Sequence, residues 1–179
     1  MVLGDRDGAV VTVGENTRVE IRDATPADYA AIGELTVEVY VGEGHVDPQS
    51  LYVAELADTA ARAESAQILV AVHNGSIIGS LTVARPGTPF ADIAHPGELE
   101  FRMLAVSKQA RGLGVGSALI RRVIDTARAE SFDAVVLTTM PTMQDARRLY
   151  DRLGFTHTPH RDWKTMAGTP LTVMRLATS

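Results

Sequence analysis

Gly97–Gly116 reads GELEFRMLAVSKQARGLGVG, and its first half alternates as a strand does. Phe101, Met103 and Ala105 are expected on one face, with Glu100, Arg102 and Leu104 on the other. A polar connector, Ser107–Ala110, leads to Arg111, Gly112, Leu113, Gly114, Val115 and Gly116. Glycines at alternate positions remove side chains where main-chain N–H groups could wrap an anion. The helix that opens here offers its first amides and the positive end of its dipole to the same anion. The stretch reads as a phosphate cradle joined to a strand that carries carboxylates.

A P-loop would need Gly-Lys-Ser/Thr, but Gly116 is followed by Ser117 and Ala118. A dinucleotide fingerprint would turn directly after the strand, with an acid at the tip of the next one. Here Ser107–Ala110 intervene, and Asp133 precedes the next strand. A glycine-rich turn without a ligand is the plain alternative. Leu104-Ala105-Val106 followed by Arg111-x-x-Gly114-x-Gly116 resembles the acyl-CoA loop of the GNAT superfamily of N-acetyltransferases. Ala146-Arg-Arg-Leu149-Tyr150-Asp-Arg-Leu153-Gly154-Phe155 is similar to a second signature of that superfamily, A-x-x-L-Y-x-x-x-G-F. Ile21-Arg22-Asp23-Ala24-Thr25-Pro26-Ala27-Asp28 adds a weaker likeness to its opening strand. Met143 stands where the superfamily often has Asn, which removes one polar group near the cofactor.

The remaining chain supplies the other elements. Ala9–Val13 and Arg18–Arg22 read as a hairpin around Gly14-Glu-Asn-Thr, with 1–17 an extra N-terminal segment or hairpin. Thr25 as N-cap and Pro26 in the first turn open a helix with Ile32, Leu35 and Val39 inward. Asp47-Pro48 repeats the signal for a second helix ending near Glu64. Gln67–His73 and Ser76–Ala84 form a hairpin on Asn74-Gly75. A helix over Leu113–Ala129, a buried strand over Asp133–Thr139 and a helix over Pro141–Leu153, stopped by Gly154, follow. Phe155 and Leu171–Leu176 begin the last strands, with Trp163 packed beside them. These elements make a single α/β domain over 1–179 with a mixed sheet. The resemblance implies a three-layer α/β/α fold, mostly antiparallel, with a splayed central strand pair.

The 179 residues suffice for one core, and the formal charge of −5 argues against non-specific nucleic-acid binding. The chain has no cysteine, which excludes disulfides, thiolate zinc sites and a cysteine nucleophile. Met1–Val13 does not read as a secretion signal, and no run reaches membrane-spanning length, so a cytoplasmic protein without membrane or nucleic-acid partners is expected. His157-x-x-His160 lacks a third ligand at a usable spacing, so no metal is expected.

The resemblance implies an acyltransferase that moves an acetyl group from acetyl-CoA to a primary amine of a small molecule or a protein. Without a cysteine, attack would be direct, in a ternary complex. It implies cofactor contacts at Leu104, Ala105, Val106, Arg111, Gly112, Leu113, Gly114, Val115, Gly116, Ser117, Ala146 and Tyr150. A phenol of pKa about 10 makes Tyr150 a general-acid candidate for the leaving thiolate. Glu100, six residues before Val106, is the general-base candidate, directly or through water, and Glu98 is held in reserve. Tyr40, Glu43 and His45, where the first two helices meet, and Glu98 are acceptor-pocket candidates, joined by Phe90 and Asp92. Dimers are common in the superfamily, so a homodimer is included in the expectation. A second function, an acyl-CoA-binding sensor without catalysis, would share the cradle. The acceptor and the acyl-chain preference are not written in these motifs.

Overall fold

The structure is a computed structural model that describes residues 9–12 and 18–179. The turn expected around residues 14–17 lies outside the described residues. The strands are β1 (Ala9–Thr12), β2 (Arg18–Asp23), β3 (Gln67–His73), β4 (Ser76–Ala84), β5 (Glu98–Val106), β6 (Ala134–Thr139), β7 (Thr156–His157), β8 (Trp163–Lys164) and β9 (Pro170–Ala177). The helices are α1 (Tyr29–Gly42), α2 (Tyr52–Ala57), α3 (Thr59–Ala63), α4 (Val115–Ala129) and α5 (Gln144–Leu153). The sheet runs β1-β2-β3-β4-β5-β6-β9-β7, with β8 paired to β9. All its pairings are antiparallel except β5–β6. This is the mixed, mostly antiparallel α/β domain expected from the sequence.

The parallel pair is short. Glu98, Leu99 and Glu100 face Ala134, Val135 and Val136, and pairing stops there. Beyond it β5 and β6 diverge. On the β4 side, Arg102 pairs with Thr82 and Ala105 with Ser80, so Met103 and Leu104 together oppose Leu81. This is a β-bulge, and Met103 adopts a left-handed φ of 55° within it. The extra residue reverses the facing of everything after it. Phe101 packs in the main core against α4, and Leu104 and Val106 lie against that same core. Met103 joins Tyr40 and Leu56 in a separate cluster. The expected grouping of Phe101 with Met103, and of Leu104 with Glu100, is corrected by that one inserted residue.

The Asn74-Gly75 hairpin forms with both residues at positive φ, 49° and 76°, as a type I′ turn demands. Gly154 ends α5 at φ 94°. The single helix expected from Asp47 to Glu64 is two helices preceded by a turn. Asp58 breaks it, because its carboxylate accepts from the Ala61 amide at 3.0 Å and caps α3 instead of continuing α2. The carbonyls thereby freed at the end of α2 are taken by the buried Arg62 guanidinium, through Glu55 O at 2.5 Å and Leu56 O at 3.0 Å. This turn of α2 lies tight against α1, because Gly33 has no side chain.

A Cβ on Gly33 would stand 2.4 Å from the Ala57 carbonyl oxygen. Gly33→Ala should therefore lower stability by about 2 kcal/mol in urea denaturation, by forcing α1 and α2 apart. Asp28 accepts from Arg22 at 2.7 Å and from the Thr25 amide at 2.8 Å, and the Arg22 guanidinium brings its pKa down to about 2. A depressed carboxylate stabilises the fold above its unfolded pKa and loses that contribution as pH falls through the folded value. Asp28→Asn should cost about 2 kcal/mol at pH 7, and the gap from the unaltered protein should close between about pH 4 and pH 2.

Candidate functional site

Where β5 and β6 part, a cleft of roughly 510 Å³ opens against the start of α4, one face of α5 and the end of α1. Its floor includes Leu104 and Val106 from β5, and its sides are Ala110–Gly112, Gly114–Ser117 and Ala146, Leu149 and Tyr150. From Phe101 onward no β6 residue pairs with β5, and Met103 and Leu104 have no partner on β4 either. On its β6 side, β5 past Glu100 is therefore a strand edge without a strand partner.

The glycine loop forms a nest beside it. Gly112 and Gly114 adopt φ of 80° and 79°, which turn successive amides to one side. Among the described residues, no acceptor takes the N–H groups of Gly112, Gly114, Val115, Gly116 or Ser117. The first amide bond of the helix is Ala118 N–H to Gly114 O, 3.0 Å. A Cβ on Gly112 would meet nothing within 4 Å, whereas one on Gly116 would stand 3.0 Å from Leu149 and 3.8 Å from Val106. Gly116 is small because the loop, α5 and β5 meet there. Unpaired amides at the positive end of a helix fit a diphosphate, and an extended strand edge beside them fits a pantetheine amide chain.

Tyr150 has two environments. Its ring packs edge-to-face with Phe101 at 5.9 Å and Phe155 at 6.1 Å, and the residue is only 5 % exposed. Yet it lines the cleft, and its hydroxyl has no hydrogen-bond partner among the described residues. Burial pushes its pKa well above the usual phenol value, so the hydroxyl keeps its proton at neutral pH. Tyr40, also buried and lining the cleft, is pushed up for the same reason.

The other expected site residues divide into two groups. Glu43, His45, Arg111 and Ala146 line the same cleft as the nest and Tyr150. Glu98, Glu100, Ala105 and Leu113 do not line it. Ala105 is buried in the sheet and Leu113 points outward. Glu98 is clamped by Arg161 at 2.9 Å and Arg175 at 3.1 Å, with the His95 amide at 3.0 Å. It ties the chain before β8, and β9 itself, to the start of β5, far from an acceptor role. Glu100 is 1 % exposed, and its Oε2 accepts from the Ile93 and Ala94 amides at 3.0 and 3.1 Å. Burial raises its pKa against those amides. Asp92 pairs with Arg102 at 3.2 Å, and the Phe90 carbonyl accepts from the same guanidinium at 3.1 Å. His157 is engaged by Asp162 at 2.7 Å.

Residues that sequence reasoning left out also line the cleft: Val39, Thr142, Gln144, Asp145, Leu149 and Arg152. Leu149 was readable only as a core position of the second signature, and Thr142 gave no signal at all.

The chain resembles known N-acetyltransferases. It is 36% identical over 92 residues to the probable N-acetyltransferase camello of Xenopus tropicalis, covering 51% of this chain and 39% of that one. It is 33% identical over 106 residues to the N-acetylaspartate synthetase of Rattus norvegicus, covering 58% and 32%. The chain thus matches about a third of the length of these relatives. Among solved structures, yncA of Salmonella typhimurium, a putative acetyltransferase with its cofactor acetyl-CoA, superposes with a TM-score of 0.66 and 26% identity, covering 90% of this chain and 94% of that one. No helix among the described residues is long and apolar enough to cross a membrane. The sequence pattern of the Acetyltransferase (GNAT) family matches residues 29–155, and the chain belongs to that family.

Proposed function

We propose that the protein is an acetyl-CoA-dependent N-acetyltransferase that acylates a primary amine by direct attack. The observation that carries this reading is the conjunction in one cleft of five unpaired main-chain amides at the start of α4, the unpaired edge of β5 and the Tyr150 hydroxyl. Coenzyme A's diphosphate would lie on Gly112–Ser117, and its pantetheine arm along Leu104 and Val106. Acetyl-CoA supplies the activated acyl carbon.

This chain's residues then have distinct tasks. The bulge at Met103 and Leu104 frees strand N–H groups, and one of these near Leu104 or Ala105 receives the developing oxyanion. A neutral amine forms the new C–N bond as the C–S bond breaks. Tyr150 gives its proton to the departing sulfur, and the amine's proton leaves in the opposite direction. No cysteine exists in the chain to carry an acyl intermediate. Glu100 lies off the cleft lining and is tied to the 93–94 amides, so it receives the proton through water and not by contact.

The acceptor class is an amine of a small molecule or peptide, and the name of the rat relative makes aspartate one member of the panel to be tried. Calorimetry with coenzyme A, and thiol release from acetyl-CoA across that panel, test the reading together. Tyr150→Phe should lower kcat by about a hundredfold while the acetyl-CoA KM stays within about twofold, since only the transferred proton is lost. Unchanged turnover would remove Tyr150 from the reaction. Glu100 is a base only when ionised, and burial raises its pKa, so activity should fall on acidification at a higher pH than for an ordinary carboxylate. Glu100→Gln should cost about tenfold in kcat/KM at neutral pH and abolish that acid limb; a retained limb assigns the proton elsewhere.

A further inference from the structure

The rim of the cleft holds a chain of polar contacts that the acetyl-transfer reading does not use. Arg111, the first residue of the cradle motif, places Nη1 2.5 Å from Glu43 Oε1 and donates from Nη2 to the Val106 carbonyl at 3.2 Å. Glu43 Oε2 lies 3.8 Å from His45 Nε2, and His45 Nδ1 is 2.8 Å from Thr142 Oγ1. All four side chains line the cleft. Arg111 belongs to the loop after β5, and Thr142 to the loop after β6. Glu43 and His45 come from the segment that leaves α1. That segment is pinned, because the His45 and Val46 amides both donate to the Tyr40 carbonyl at 2.9 Å. The contacts therefore span the open end of the gap between the two diverging strands.

We propose that Glu43 is a positioning residue for the acyl donor: it holds Arg111 on the end of β5 and, with His45 and Thr142, closes the open end of the β5–β6 gap. The inference rests on the acetyl-CoA reading above. An isolated surface pair would contribute little. This one is anchored at both ends: the guanidinium is shared between a carboxylate and a strand carbonyl, and the carboxylate sits on a segment already fixed to α1. Two consequences follow. The Arg111 side chain is committed to protein partners, so the diphosphate is gripped by main-chain amides alone. The last carbonyl of β5 is also committed, which fixes the strand end on which the donor's arm would lie.

The test is a double-mutant cycle on donor binding, read by calorimetry with coenzyme A and by steady-state kinetics. Glu43→Gln keeps the shape and removes the charge. It should weaken coenzyme A binding by about fivefold or more and raise the acetyl-CoA KM alike, with kcat within about twofold. Arg111→Lys cannot make both contacts and should lose a similar factor. The double variant should be no worse than the weaker single one, because both changes break one unit. Glu43→Asp, which keeps the charge, should retain more affinity than Glu43→Gln. Thermal unfolding of each variant shows that the fold is intact. Unchanged affinity in Glu43→Gln overturns the proposal. So does a much larger loss in Arg111→Lys that adds to that of Glu43→Gln, since the arginine would then hold the phosphates itself. Heat with the unaltered protein and equal heat with Glu43→Gln sinks only the positioning role of Glu43, whereas no heat with the unaltered protein sinks the acetyltransferase reading as well.

Discussion

A parallel strand pair that stops after three residues is the constraint around which the molecule is arranged. Up to Glu100 and Val136 the sheet is continuous, and beyond them β5 turns away from β6. The extra residue at Met103 adds local twist and breaks the register with β4. Such a rupture in the middle of a sheet is costly, because each buried main-chain group left unpaired forfeits about 1–3 kcal/mol. The gap is kept open by packing. Tyr40, Leu56 and Met103, with Met140 and Met143 against them, fill the α1 side. The other side carries Leu104, Val106 and Leu149 against the main core. A gap supported on both sides, whose edge is hydrogen-bonding backbone, is shaped for an extended amide-bearing ligand.

Charge placement follows the same geometry. The protein is acidic, with a formal charge of −5, yet the cradle needs no net positive surface, since oriented amides provide the field locally. Two carboxylates on β5, two residues apart, do different things. Glu98 meets two guanidiniums, and although its burial works the other way, they and the His95 amide hold its pKa below the ordinary value. It serves as a clamp between the first and last parts of the sheet. Glu100 meets only two amides directly, and burial wins there, leaving a carboxylate that is harder to ionise. The difference comes from which neighbouring segment each one touches.

The parts legible in the sequence are those set by local chemistry. Asn74-Gly75, Gly154 and the alternate glycines 112–116 each need a backbone conformation that few residues adopt, so the residue type announces the structure. The stop of α5 at Gly154 is legible for the same reason. What the sequence concealed depends on contacts between distant segments. The parity change at Met103 has no glycine to mark it. The split between α2 and α3 turns on Asp58 choosing a cap and on Arg62 reaching back to the carbonyls of Glu55 and Leu56. The partners of Glu98, Glu100 and Arg111 lie across loops whose paths no periodicity encodes. Candidate residues were therefore found by type, and their division between the cleft and its surroundings had to come from the fold.

Tyr150 is at once a core residue and a lining residue of the cleft. By spacing alone it is a core residue of α5; the proposed acetyl transfer makes it a proton donor. The edge-to-face contacts with Phe101 and Phe155 fix the ring and leave its oxygen to reach the cleft. A buried ring with two aromatic neighbours has little freedom to reorient, so the hydroxyl is aimed before any ligand arrives. Phe101 lies on β5 just before the bulge, and Phe155 follows the glycine that ends α5. The strand that departs from its partner thus also supplies part of the packing that points the phenol into the space its departure creates.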